Sequence, residues 1–342
     1  MTEIPHRQLV SDLGEFGLIS RWASLLGPTG ADVVVGIGDD AAVLKHQCSG
    51  LLLVTTDMLV ENVHFRLDLI SPEQLGWKAV AVNVSDIAAV GGEPAFAFIS
   101  IGMPAHTPVS FTDALYHGMK LMAHSVGAQI VGGDTVGSDK LIISIALTGR
   151  VEENHLALRS GAKPGDALVV TGTLGDSAAG LRLLLSGKGE NRFKRCIDAH
   201  LTPQPRLPEA RAAVATGAVH AMIDLSDGLS GDLRHLCTSS NVGALLSEDA
   251  LPISAEAREA ASLLGISPTE LALSGGEDYE LLMAVDLNRV DDVDNAINSV
   301  GRVRATCIGT VQAAKDLLIR RSTGETVPLA ASSWDHFAIR NV

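Results

Sequence analysis

The chain has 342 residues, of which 46% are hydrophobic and 34 are glycine, and its formal net charge is −14. A length of this order favours two domains of roughly 100–200 residues each. The acidic balance excludes a protein built to grip nucleic acid, because a phosphate backbone calls for Lys and Arg stripes. It would also repel ATP unless metal ions intervene. Cys48, Cys196, Cys237 and Cys307 show neither a CxxC pair nor zinc spacing, so they read as thiols of a reducing compartment. The first ten residues lack the apolar core of a secretion signal, and no apolar run approaches about 18 residues. A cytoplasmic protein without membrane contact is the expectation.

Arg7–Leu26 is amphipathic at helical spacing and stops before Gly27-Pro28. Asp32–Ile37 and Leu51–Thr56 read as strands joined by the short Ala41–Lys45 run. Ser71-Pro72 pairs an N-cap with proline at the first helical position, opening a helix to about Val90. Ala95–Met103 reads as a strand, Phe111–Ser125 as a helix, and Gln129–Val131 and Leu141–Thr148 as strands. The turn cluster Ala162–Asp166 places a domain boundary at about Arg150–Asp166, giving domains 1–150 and 151–342. Beyond it come a strand at Ala167–Thr171, a helix ending near Leu185 and a proline-rich connector at Pro203–Pro208. A strand at Ala221–Ile223, a helix at Asp227–Leu236, a strand at Tyr279–Val285, a helix at Val290–Val300 and a strand at Ala305–Val311 follow. Alternating helical and strand patterns make an α/β or α+β enzyme the expected class.

Five apolar segments each deliver an aspartate: Val33–Asp40, Leu51–Asp57, Val82–Asp86, Ile130–Asp134 and Met222–Asp227. One Mg²⁺ cluster would account for them together, since Mg²⁺ takes carboxylate, hydroxyl and phosphate oxygens. Taken singly, each has an ordinary reading. Gly36–Ala41 fits a dinucleotide fingerprint in form, but the residues after it read as strand and not as the helix that fingerprint needs. It is a tight turn or a metal site. Thr55-Thr56-Asp57 is a capped strand end or a ligand run. Asp86 stands among Ala, Val and Ile inside a helix, where an unpaired carboxylate is costly. Gly132-Gly133-Asp134 is a glycine turn or a phosphate approach. In Asp224-Leu225-Ser226-Asp227, Asp224 and Ser226 share a strand face, and Asp227 also suits a helix N-terminus. Ser274–Tyr279 is a hairpin turn or a substrate loop. The P-loop, protein-kinase, GxSxG and HExxH patterns are absent.

Read together and in order, the motifs resemble the thiamine-monophosphate kinase family of the AIR-synthetase-like (PurM-like) superfamily. They are GEFGLI at Gly14, GIGDDAAVL at Gly36, TTDMLVENVHF at Thr55, GWKAVAVNVSDIAAVGGEP at Gly76, GGDT at Gly132, RSGAKPGD at Arg159, TGTLGDSAAGL at Thr171, DLSDGL at Asp224, SGGEDYELL at Ser274 and WDHF at Trp334. The resemblance implies a two-domain α/β (α+β) PurM-like fold, with the N-terminal domain forming the core of a homodimer. It implies ATP-dependent phosphorylation of thiamine monophosphate to thiamine diphosphate, the last step of that cofactor's biosynthesis. The transfer would be direct and in line, aided by several Mg²⁺ ions, with no covalent catalytic residue.

Carried over motif by motif, Asp40, Thr55, Thr56, Asp57, Asp86, Asp134, Asp224 and Asp227 are the implied metal set. Gly133, Asp134, Arg159 and Ser226 are implied nucleotide contacts, and His64, Glu277 and Trp334 implied substrate contacts. A guanidinium fork matches phosphate oxygens, and an indole and a carboxylate suit a cationic thiazolium and its aminopyrimidine. Asp39 and Tyr116 remain without an assigned role. Asn62 stands where the family often has glycine, and Trp334 where it also uses tyrosine. Two other readings stay open: a sister enzyme such as an AIR synthetase or selenophosphate synthetase, and a non-catalytic Mg-nucleotide-binding scaffold. The late position of the first cysteine, Cys48, counts against selenophosphate chemistry.

Overall fold

The computed structural model describes residues 31–45, 50–189, 191–301 and 303–330, together with 17, 19 and 20. Apart from those three residues, the helix expected over Arg7–Leu26 lies outside the described residues, as does the tail from Ser332 with Trp334. Two mixed sheets organise the described chain. The first contains β1 (Val33–Val35), β2 (Ala42–Lys45), β3 (Leu51–Val60), β4 (Glu93–Met103), β5 (Gln129–Gly137) and β6 (Ile142–Val151), in the order β1-β2-β3-β6-β4-β5. Its neighbours are antiparallel except β4 and β5, which run parallel. Two helices cover one face, α1 (Pro72–Ala89) and α2 (Val109–Ser125).

The second sheet contains β7 (Ala167–Thr171), β8 (Val219–Asp224), β9 (Gly243–Ser247), β10 (Leu281–Val285), β11 (Ala305–Gln312), β12 (Leu317–Arg320) and β13 (Thr326–Pro328), in the order β13-β12-β9-β11-β7-β10-β8. Its helices are α3 (Asp176–Leu185), α4 (Lys194–Leu201), α5 (Leu207–Ala215), α6 (Leu229–Ser240), α7 (Ala255–Leu264), α8 (Pro268–Ser274) and α9 (Val290–Val300). The α/β class expected from the sequence is what the chain adopts. Among the described residues no helix is long and apolar enough to cross a membrane.

Several elements differ from expectation. The Ala41–Lys45 connector is a strand, β2, paired with β3. The strand expected at Gln129–Val131 runs on to Gly137, because Gly132–Gly137 keep their pairing with β4. The connector Pro203–Pro208 runs into α5, whose first turn holds Pro208, a position where a missing N–H costs nothing. The helix expected from Asp227 begins at Leu229. Strands β9, β12 and β13 and helices α4, α7 and α8 were not expected; β12, β13, α4 and α8 are short, whereas α7 carries an N-cap at Ser254 and a left-handed Gly265 at its end.

Helix α1 links the two halves. Ser71 closes a capping box on it: the Ser71 hydroxyl accepts from Gln74 N at 3.2 Å, and Gln74 Oε1 accepts from Ser71 N at 3.0 Å. Its Leu75, Ala79, Val80 and Val84 join the first core against β3, β4 and β6, whereas Ala88 and Ala89 join a second core with Val169 and Met222. It therefore has almost no solvent face, and any polar side chain it carries must find a partner inside the protein.

Residues of β3 alternate between the two faces of the first sheet. Leu53, Thr55 and Leu59 are buried beneath the helices, with Asp57 partly buried among them, whereas Thr56 and Met58 face outward. The outward face keeps Met58 (55%), Phe96 (47%), Phe98 (45%) and Val136 (55%) exposed.

Where α1 crosses α2, a Cβ on Gly76 would lie 1.9 Å from the Leu115 carbonyl oxygen, and one on Gly118 would lie 1.8 Å from that of Glu73. Neither backbone oxygen can move aside cheaply, so Gly118→Ala should force the helices apart. The expected loss is about 3 kcal/mol of stability, measured by urea unfolding.

Candidate active site

The aspartates converge at the mouth between the two halves. Asp40 sits in the turn between β1 and β2, Asp86 projects from α1, and Asp224 ends β8. One carboxylate oxygen from each lies within 4.8 Å of the other two. Asp57 on β3 adjoins them, close enough for its charge to raise the Asp86 pKa. Local sequence explains the convergence. On α1, Asn83 and Asp86 are three residues apart and so share a face. Asn83 Oδ1 accepts from Asp57 N at 3.1 Å, and Asp86 Oδ2 accepts from the Thr55 hydroxyl at 2.5 Å. Ser85 reaches across to the second half, its hydroxyl donating to Asp224 Oδ2 at 2.6 Å.

Like charges at this spacing resist ionisation. Burial, followed by the Asp40 charge, pushes Asp224 up to about 8. Burial also raises Asp57 to about 6, against the bond from Asp86. Asp86 rises well above the carboxylate range through burial and then through Asp57, Asp224 and Asp40. Arg159 is the counter-charge: its Nη2 donates to Asp40 Oδ1 at 2.5 Å, and its backbone N to Asp39 Oδ2 at 3.2 Å. Two buried atoms here lack a partner, Asp40 Oδ2 and Arg159 Nε. An acceptor and a donor left open side by side fit a hard cation and an anionic oxygen, respectively.

Two glycine-bearing motifs complete the wall. Glu277 N donates to Ser226 O at 2.7 Å, and Tyr279 N to Leu225 O at 2.9 Å, extending the β8–β10 pairing past its end. A Cβ on Gly276 would come within 2.7 Å of Ser226 O, so only glycine permits the approach. Asp227 N donates to Asp232 Oδ2 at 3.2 Å, placing Asp227 at the entrance to α6. Glu277 is ionised: burial would raise its pKa, but the Lys78 charge and the His200 bond outweigh that and hold it at about 2.

The eight residues of the expected metal set therefore do not form one group in a single chain. Asp40, Thr55, Asp57, Asp86 and Asp224 meet, with Asp227 on the adjoining loop. Thr56 and Asp134 do not join them. Thr56 faces the opposite side of the sheet, since strand side chains alternate. Asp134 is exposed on edge strand β5, three strands from Met58 of β3, or roughly 14 Å at the usual strand spacing. Gly133 lies beside it, apart from Arg159 and Ser226, so the expected nucleotide contacts also divide between two places. Tyr116 borders a cavity of about 650 Å³ on this outer edge, with Met103, Asp113 and Thr135.

His64 lies in the turn after β3, its Nδ1 accepting from Val60 N at 3.0 Å. Asn62 in that turn has φ +63°, a left-handed conformation open to glycine and asparagine, which accounts for the departure noted there. Sequence reasoning missed Lys78, Ser85, Asn83 and Asp232. For Lys78, Asn83 and Ser85 the available signal was a polar side chain inside the apolar helix α1, pursued only at Asp86, whereas Asp232 stands in the more polar α6 and carries no such signal.

The fold and this carboxylate-lined mouth define the class. The models for the AIR synthase related protein N-terminal and C-terminal domains match residues 38–151 and 163–320. More specific likeness follows. The thiamine-monophosphate kinase of Mycobacterium tuberculosis is 41% identical over 303 residues, covering 88% of this chain and 87% of its own. That of Escherichia coli K12 is 38% identical over 341 residues, covering 95% and 98%. A solved structure, AaThiL complexed with AMPPCP and TMP, superposes with a TM-score of 0.85 at 36% identity, covering 97% of this chain and all of that one. The chain belongs to the thiamine-monophosphate kinase family. Escherichia coli HypE, a hydrogenase maturation protein, shares the fold at a TM-score of 0.67 and 24% identity.

Raised carboxylate pKa values have a sign that can be tested. Between the ordinary range near 4 and about 8, the folded chain holds protons that the unfolded chain has lost, so stability falls as pH rises through that window. Buried histidines with lowered values, such as His235 at about 4, act oppositely but are spent by pH 6.5. In EDTA, the unfolding midpoint is expected to drop between pH 6.5 and pH 8.5. Asp224→Asn should shrink that drop, and Mg²⁺ should abolish it. Calorimetry at the two pH values reads all three.

Proposed function

We propose that this chain transfers the γ-phosphoryl group of ATP to thiamine monophosphate, yielding thiamine diphosphate and ADP. A terminal phosphate oxygen of the acceptor attacks Pγ while the bond to the bridging oxygen of ADP breaks. No protein atom enters the bond being made, so the chain's task is orientation and charge balance. The observation that carries the reading is the repelling group Asp40, Asp57, Asp86 and Asp224, set beside Arg159 with its open Nε. Four acids converging at low dielectric favour an intended cation, and the guanidinium suits a phosphate oxygen.

Those four carboxylates, with Thr55 and Asp227, would hold Mg²⁺, which supplies neutralisation of the phosphate charge when bound. Ser226 and Arg159 flank the phosphates, and Glu277 and His64 serve the acceptor. The relatives' names and the complex with AMPPCP and TMP support the same substrates. The assembly is a homodimer formed through the outward face of the first sheet, whose exposed Met58, Phe96, Phe98 and Val136 favour burial. Thr56, Gly133 and Asp134 then sit at the interface. Buried unpaired Cys196 and Cys237 fit a reducing, cytoplasmic setting.

The test is ADP release from ATP and Mg²⁺ with thiamine monophosphate, free thiamine or an aminoimidazole precursor as acceptor. Turnover with thiamine monophosphate alone, abolished by EDTA, is the expected result. Asp57→Asn should lower kcat by about 100-fold or more and weaken the Mg²⁺ dependence. Turnover with a different acceptor would move the enzyme to a sister branch of the superfamily.

A further inference from the structure

Glu277 is gripped before any ligand arrives. The Lys78 ammonium, on a side chain only 1% exposed, donates to Glu277 Oε2 at 3.0 Å and to the His200 carbonyl oxygen at 3.1 Å. The His200 ring, also buried, brings Nδ1 to 3.2 Å from the same Oε2 and 3.2 Å from the Ser177 hydroxyl. An ionised carboxylate can only accept, so Nδ1 carries the proton in this arrangement. Burial, and then the Lys78 charge, lower the His200 pKa, which keeps the ring neutral. Two donors from two elements, α1 and α4, thus close on one oxygen. The backbone is constrained as well, with Glu277 at φ +64° and its N–H bound to Ser226 O at 2.7 Å.

This arrangement is costly for a purely structural contact. A buried ion pair is seldom better for stability than apolar residues of the same volume. A left-handed glutamate adds backbone strain, which persists where the surroundings over-determine it and which gathers at ligand-binding positions. Both costs are intelligible if one carboxylate must stay ionised and still. Its side chain remains 24% exposed, its backbone is tied to Ser226 next to Asp227, and both grips use Oε2.

We propose that Lys78 and His200 are positioning residues that fix Glu277 through Oε2 so that Oε1 meets the organic end of the phosphate acceptor. The inference rests on the functional reading above. Lys78 stands seven residues before Ser85, two turns along the same face of α1. One helix face therefore sets both the acceptor-side carboxylate and, through Ser85, the Asp224 carboxylate.

Steady-state kinetics of the full chain with Mg²⁺, ATP and thiamine monophosphate test this. Lys78→Met is expected to raise KM for thiamine monophosphate by about 10-fold or more, and His200→Ala by about three-fold, with KM for ATP within about two-fold of the parent. Lys78→Met placed on Glu277→Gln should add nothing to the KM of Glu277→Gln alone. That double variant strands no buried charge, so the comparison survives if Lys78→Met alone does not fold. Equal shifts in both KM values, a fall in kcat alone, or multiplying effects in the double variant would overturn the proposal. A parent chain inactive on thiamine monophosphate would instead overturn the functional reading, and this inference with it.

Discussion

The structure depends on the repulsion it contains. Asp40, Asp86 and Asp224 come from three separate elements and bring one carboxylate oxygen each within 4.8 Å of the others, with Asp57 close enough to act on Asp86. Nothing in hydrophobic packing favours that. The arrangement is held because each acid is fastened by an unrelated bond: Thr55 to Asp86, Ser85 to Asp224, Asn83 to the backbone of Asp57 and Arg159 to Asp40. The apolar cores supply the free energy, and the charge group takes some of it back at neutral pH. Carboxylates held this close, with one guanidinium among them, are a strained group.

Three of those four fastenings involve α1 directly. That helix is apolar enough to lie in two cores and polar enough to reach both halves, and its polar residues are spaced to do so. Asn83 and Asp86 address β3, while Lys78 and Ser85 address the second half. Trp77 adds a further tie, its indole N–H donating to Pro203 O at 2.8 Å. The two sheets are thus set relative to one another by the element that carries the chemistry.

Much of this was legible in the sequence, for definite reasons. The start of α1 followed from Ser71-Pro72, and the aspartate runs stood out because acid is costly beside Val and Ile. The residues that failed to join the group failed through geometry that a motif does not encode. Thr56 and Asp57 are adjacent in the chain and opposite in space, as the period of two could have warned. Asp134 ends an apolar run, but its strand is the edge of the sheet, and edge position is fixed by pairing order between distant segments. Lys78 gives only a weak signal in the sequence, since a helical lysine ordinarily faces water, and the α1–α4 contact is what shows otherwise.

The stretch Glu277–Glu280 has one more consequence. Glu277 meets Lys78 on α1. Asp278 accepts from Gly175 N at 2.7 Å and from Ser177 N at 3.3 Å at the head of α3. Tyr279 is buried, and Glu280 takes both arms of Arg206, at 2.6 and 2.5 Å. Four successive residues serve four separate surroundings, with left-handed backbone at the first and third. Such a segment has no slack. Inserting or deleting one residue would exchange every assignment at once, so the spacing here leaves no room for a change in length.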